Sequence, residues 1–316
     1  MRFLTRAMIS CLAVLGLVAA APMLGLKANS ESDWVQGLYL AKERAAAAVA
    51  GPRILVGSGS SGLLGVDSAM ISAATGTQAI NFGTHAGLGL KYLLDRLEEN
   101  LRPHDVVILA LEYQQYVSPV EPTTTLVNYA PFFDRHYIFA QPVTEWPSFV
   151  LGYNMLASVK SSIKRVLGQP PAAGGFTLAL TPSGDYLDNQ AGSMPPPSAR
   201  ALTLSPPDPV NPDAIAIIKA FADRSRARGI EIVAIWPPMY RNPVLGTDPG
   251  YARFFKDLSA TLADIGIPML GEVDAFLLPM DQMFDGRYHA NSVGRETYTR
   301  ALVAAFCAHQ ACTPQR

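Results

Sequence analysis

The sequence predicts an α/β fold: a three-layer α/β/α sandwich around a mainly parallel sheet, preceded by an N-terminal transmembrane or signal helix. Three observations predict it. Short apolar runs alternate with helix-length segments, the pattern of parallel strands joined by crossover helices. The chain has 316 residues, 49% of them hydrophobic, enough to bury a substantial core. Residues 1–30 differ in kind from the rest, because Arg2 and Arg6 precede an uncharged run over 7–26 rich in Leu, Val and Ala.

That run is long enough to cross a hydrocarbon core as a helix. The basic residues before it favour an N-terminus kept inside and a chain delivered outside. Ala19-Ala20-Ala21 offers a small-residue cleavage site, but Pro22 follows directly and disfavours cutting there. A retained anchor is therefore favoured over a cleaved signal. The expected location is extracytoplasmic or periplasmic, with residues 7–26 in the inner membrane.

Residues 34–50 read as a helix with Lys42, Glu43 and Arg44 on its wet side. The apolar run 53–56 reads as a buried strand, 63–74 as a helix, 78–82 as a strand and 88–100 as a helix. Pro103 and Asp105 punctuate before a third strand over 106–111. The pattern resumes with a helix over 212–228, a strand over 230–236, a helix over 251–265, a short strand over 267–270 and a closing helix over 291–308. Between the halves, 117–211 is rich in proline and aromatics, with a helix expected over 146–167 and loop over 169–212. We read 1–30 as signal or anchor and 31–316 as one domain carrying the 117–211 insertion, since both flanks are needed to complete the sheet. The apolar stripe of the 146–167 helix is expected to pack into the core.

Charge is near balance, at −1, with no long basic run, which disfavours nucleic acid as an obligatory partner. Cys307 and Cys312 could close a small disulfide loop in an oxidising compartment. A zinc reading finds only His309 nearby, so no metal is expected, and no cofactor is implied.

The loop Gly57-Ser58-Gly59-Ser60-Ser61-Gly62 follows the first strand and opens a helix. It satisfies the dinucleotide pattern G-x-G-x-x-G, but no acidic residue ends the second strand to hold a ribose. The other reading takes Ser61 as a nucleophile exposed on a strand-to-helix turn, with helix-start N–H groups able to stabilise an oxyanion. A serine-rich helix cap would look similar. A serine nucleophile needs a base. Among five histidines, His289 has the best setting, in Phe284-Asp285-Gly286-Arg287-Tyr288-His289-Ala290-Asn291 ahead of the last helix; a capping or structural histidine is the alternative.

Gly59-Ser60-Ser61, with Gly65 four residues after Ser61, resembles the first block of the SGNH hydrolase superfamily, with Ser60 where that block has Asp. The segment from Asp285 to His289 resembles its last block, although the usual D-x-x-H spacing is lengthened by one, which leaves Asp281 as a reserve orienter. Asn81-Phe82-Gly83-Thr84-His85-Ala86-Gly87 stands where the superfamily places an oxyanion-hole glycine, and Gly83 and Gly87 are both candidates. The third block, G-x-N-D, is missing; Leu111-Glu112-Tyr113-Gln114 replaces it, and Glu112 is either a substrate contact, the reading favoured, or a satisfied structural carboxylate.

The resemblance covers about 50–115 and 230–306. It implies a flavodoxin-like SGNH fold with Ser61 as nucleophile, His289 as base, Asp285 as orienter, and Gly83, Gly87, Asn81 and Glu112 around the oxyanion and substrate. The anchor, the GSS block and the Y-H-x-N block resemble the SGNH-like proteins that accompany membrane-bound O-acyltransferases. That implies transfer of an acyl group, acetyl above all, to a cell-envelope or exported polysaccharide, with such an acyltransferase as partner. The alternatives are an esterase using the same residues and a non-catalytic glycan-binding or assembly protein.

Overall fold

The computed structural model describes residues 2–169, 177–193, 197–198, 204 and 208–312. They fall into two units. One comprises 38–120 and 178–316, the other 1–37 and 121–177. Residues 178–193 thus belong with the sheet, although they read as part of the insertion.

The sheet unit contains β1 (Ile54–Gly57), β2 (Ala79–Asn81), β3 (Val106–Leu109), β4 (Glu231–Ile235), β5 (Met239–Tyr240), β6 (Met269–Leu270) and β7 (Leu277–Leu278). Five strands form one parallel sheet in the order β2-β1-β3-β4-β6, and β5 pairs with β7 in a separate parallel ribbon. Every residue of β1 and β2 is buried. β1 is an unbroken apolar run, as burial on both faces favours, whereas β2 ends on Asn81, a buried polar residue whose amide is hydrogen-bonded. Each fully buried Ile, Leu or Val contributes about 1.5–3 kcal/mol relative to exposure.

The register fixes where chemistry can occur. Val56 lies opposite both Asn81 and Ile108, and Gly57 opposite Leu109. The segments leaving β1, β2 and β3 therefore emerge at one edge, the usual ligand crevice of a parallel sheet. The opposite ends of β1 and β3 are tied by the buried pair Arg53–Asp105 at 2.5 Å, whose remaining guanidinium N–H groups go to the carbonyls of Ala46 and Asn100. A buried ion pair is tolerable only when its leftover donors are satisfied in this way.

Helices Leu90–Glu99 and Pro212–Arg226 pack on each other, and Ser292–His309 packs against Ser60–Gly65 and Ser68–Thr75. The single helix expected over 63–74 is two. Asp67 breaks it by accepting the N–H of Met70 and capping the second. Lys42 is not on a wet face: it is fully buried, with Nζ donating to the carbonyls of Asn81 and Gly184 at 2.8 Å each. Cys307 and Cys312 are joined by a disulfide at the end of the last helix.

The second unit is helical: Arg2–Ala20, the start of Ser30–Ala48, Thr124–Phe133, Arg135–Ala140, Trp146–Gly152 and Met155–Val166. The first helix stops at Ala20 and turns over 21–25, short of the expected 7–26 span. Among the described residues no helix is long and apolar enough to cross a membrane. The 146–167 segment is two helices, the second capped by Asn154. The first keeps the expected packing at Phe149, which is buried, but the apolar stripe of the second does not pack into a core. Leu156, Val159, Ile163 and Val166 are exposed, and Ser158 is the buried residue of that helix.

Candidate active site

β1 ends at Gly57, the chain turns through Ser58 and Gly59, and a short helix starts at Ser60. A Cβ at Gly59 would lie 2.5 Å from Cβ of Ala86 and 2.7 Å from Oε1 of Glu112. Only glycine fits there, so the aspartate of a G-D-S block has no room at the position before Ser60.

The helix start divides the two serines. The hydroxyl of Ser61 is fully buried, 2.9 Å from Oγ of Ser58 and donating to the carbonyl of Ala110 at 3.3 Å. Ser60, half-buried, turns the other way and places Oγ 2.8 Å from Nε2 of His289. On the far side of that ring, Nδ1 lies 2.5 Å from Oδ1 of Asp285. The side chains of His289 and Asp285 keep 23% and 25% of their surface, enough for a substrate to reach them. Ser61, the expected nucleophile, therefore does not meet His289; its neighbour Ser60 does. A buried hydroxyl bonded to a main-chain carbonyl has neither access nor a base.

His289 and Asp285 are held by their own loop. Met283 and Ala290 form an antiparallel bridge that closes the loop, and Phe284 N–H donates to the carbonyl of His289 at 2.7 Å. Asn291 locks its base: its Oδ1 accepts the N–H groups of Val293 and Gly294, and its amide donates to the carbonyls of Asp281 and Met283. The extra residue in the D-x-x-x-H spacing is accommodated by this closed loop. Asp281 is exposed and enters through its carbonyl, not its carboxylate. Tyr288 packs edge-on to Tyr113 at 5.9 Å, fixing the residue beside His289.

Glu112 is fully buried and caps the helix. Its Oε1 accepts Ser61 N–H at 2.7 Å and its Oε2 accepts Gly59 N–H at 3.3 Å. The substrate-contact reading is corrected: its oxygens are taken by the backbone on either side of Ser60. Burial and then the Glu112 carboxylate push the hydroxyls of Tyr116 and Tyr298 up.

Gly83 and Gly87 do not offer free donors here. Gly83 N–H donates to Oδ1 of Asn81 at 2.9 Å and Gly87 N–H to Nδ1 of His85 at 3.0 Å. Gly83 is required for closeness instead, since a Cβ there would sit 2.5 Å from the amide nitrogen of Leu63. Asn81 is fully buried and donates to the carbonyl of Gly62 at 2.9 Å, bracing the helix from below. It too is structural. The N–H of Ser60 lies in the first turn of the helix, where a backbone donor has no intrahelical acceptor.

One contributor was not legible in the sequence. Asn189, fully buried, donates to the carbonyl of Leu64 at 2.8 Å and to that of Ala290 at 2.7 Å. One amide thereby joins the helix of Ser60 to the loop of His289. Asn189 lies in a proline-rich stretch with no motif, and no signal in the sequence marks it.

No family model matches the chain, and no curated protein matches it. Among solved structures it is similar to a lipase/acylhydrolase from Enterococcus faecalis, at 10% identity over 84% of this chain and 100% of that one, with a TM-score of 0.37. A likeness at that level assigns neither family nor chemistry.

Proposed function

We infer that the chain is a serine-dependent enzyme of acyl-ester chemistry, with Ser60 as nucleophile, His289 as general base and acid, and Asp285 as the group that orients His289. The observation that carries this is the unbroken line from Ser60 Oγ to His289 Nε2 and from His289 Nδ1 to Asp285, on a half-exposed turn. With Nδ1–H donated to the carboxylate, Nε2 is the acceptor for the serine proton.

The Ser60 oxygen attacks the acyl carbon while its proton passes to Nε2. Collapse of the tetrahedral intermediate breaks the carbon–oxygen bond of the ester, and the leaving alkoxide takes the proton from Nε2. The acyl group is then on Ser60. A second hydroxyl, from water or from an acceptor, repeats the sequence in reverse and frees the serine.

The finer reading is transfer of an acetyl or similar group to a cell-envelope or exported polysaccharide on the outer side of the membrane, with a membrane-bound O-acyltransferase as donor partner. One observation supports the location. The Cys307–Cys312 disulfide suits an oxidising compartment.

A fluorophosphonate, which traps activated serines, followed by peptide mass mapping tests the assignment. Label on the peptide at Ser60, absent in Ser60→Ala and in His289→Ala, is the expected result. Label at another residue, or none on folded protein, would overturn it. Chromogenic acetyl ester with and without added oligosaccharide then separates transfer from hydrolysis.

A further inference from the structure

The helix Met155–Val166 is turned inside out relative to an ordinary surface helix. Its inward side is polar. Ser158 is 1% exposed, and Oγ of Ser162 accepts the N–H of Lys27 and donates to the carbonyl of Ser158, both at 2.9 Å. Arg165 pairs with Asp33 on the same side.

Its outward side is apolar. Leu156 is 64% exposed, Ile163 54% and Val166 88%, with Val159 between them at 38%. The spacing 156, 159, 163, 166 puts these on one face. Lys160 and Lys164 are exposed, and the helix has no Asp or Glu. At 100° per residue they fall along one margin of the apolar arc.

An exposed apolar stripe of this size needs an occupant. A cationic margin and a lack of acids match an anionic surface. An apolar face with lysines at its edge is the form of helix that lies in the plane of a membrane, its side chains at the boundary of headgroups and acyl chains. The same unit contains the Arg2–Ala20 helix, which also exposes apolar side chains, Met8 and Ile9 among them.

We propose that the helix Met155–Val166 lies in the interface of a bilayer containing anionic lipids, with Leu156, Val159, Ile163 and Val166 facing the acyl chains and Lys160 and Lys164 facing the headgroups. This is an attachment surface separate from the serine site, and it does not depend on the chemistry inferred there.

The test uses the full chain with Cys11→Ser and one new cysteine carrying an environment-sensitive fluorophore, at Ile163 or, as a control on the sheet unit, at Lys219. The probe is a vesicle of phosphatidylglycerol and phosphatidylethanolamine, with or without brominated acyl chains. Position 163 is expected to brighten on mixing and to be quenched by bromine, while position 219 does neither. Adding Lys160→Gln and Lys164→Gln is expected to weaken vesicle binding at position 163 by on the order of fivefold per charge, since each lysine near an anionic surface contributes about that factor. Equal behaviour of the two labels would overturn the proposal, even with the chain held on vesicles by its first helix. So would a 163 label that is shielded without vesicles as protein concentration rises, which would assign the face to a second copy of the chain.

Discussion

Oε1 of Glu112 accepts the backbone N–H of Ser61 at 2.7 Å, and that bond decides which of two adjacent serines faces His289. A helix start rotates by about 100° per residue, so fixing the amide of one serine sets the direction of both hydroxyls. With Ser61 held inward, Ser60 is left at the surface with its hydroxyl on His289.

Replacing the two serines separately therefore gives opposite results. Ser60→Ala is expected to lower ester turnover by at least about a thousandfold with little change in unfolding temperature. Ser61→Ala loses the buried hydroxyl bonds, about 1 kcal/mol of stability, and retains most of the turnover. Initial rates on a chromogenic acetyl ester beside thermal unfolding measure both. Equal loss of rate in the two variants would return the nucleophile to Ser61.

Glu112 carries two effects that one substitution separates. Glu112→Ala leaves the amides of Gly59 and Ser61 without an acceptor, at about 1–3 kcal/mol for each. Glu112→Gln keeps one acceptor oxygen, enough for one of the two amides, and removes the charge. Its stability loss is expected to be smaller, and its turnover per folded molecule higher than wild type, because the oxyanion on Ser60 no longer forms beside a carboxylate. Active-site titration with fluorophosphonate gives the per-molecule rate, and a fall in that rate would mean the charge assists.

Asn189 positions both halves of the site without touching the reacting atoms. Asn189→Ala is expected to cost about 1–3 kcal/mol through the orphaned carbonyls. It should also slow turnover in the fraction that stays folded, since the Ser60 helix and the His289 loop lose their shared donor. Asn189→Asp, which cannot donate, should behave like alanine. Rates normalised to folded protein distinguish this from instability alone.

Lys42 makes stability depend on alkaline pH. Burial pushes its amine down from 10.5 to about 7, against a smaller opposing pull from the Asp185 carboxylate. Between those values the unfolded chain binds more protons than the folded one, so stability rises with pH across that window and the slope disappears below it. The stability of wild type relative to Lys42→Met should therefore improve as pH climbs from 7 to about 9.5, by up to about 1.4 kcal/mol per pH unit. Denaturant midpoints across that range report it. A flat difference would show that the amine titrates as in water.

How much of this was legible depended on whether the deciding contact was local. Strands 54–57 and 106–109 could be read because burial on both faces demands an unbroken apolar run. Asp285 and His289 could be read because they are four residues apart and the last helix marks their place. Ser60 and Ser61 could not be told apart, since they are adjacent in one glycine-flanked turn and the bond that separates them comes from Glu112, 51 positions from Ser61. Lys42 beside Glu43 and Arg44 looks like a wet lysine, and only the carbonyls of Asn81 and Gly184 make a buried one tolerable. The exposed stripe on Met155–Val166 misled for a different reason. Periodicity reports that a helix has an apolar face and is silent on what that face meets.

The Met283–Ala290 bridge has a consequence for how the site comes into being. Asp285 and His289 are partners four residues apart in one loop, so bringing them together closes only a short stretch of chain. Ser60 is contributed from more than two hundred residues earlier and meets them only once β1 is in register. The Asp285–His289 pair is thus a contact within one loop, whereas its meeting with Ser60 depends on the tertiary structure.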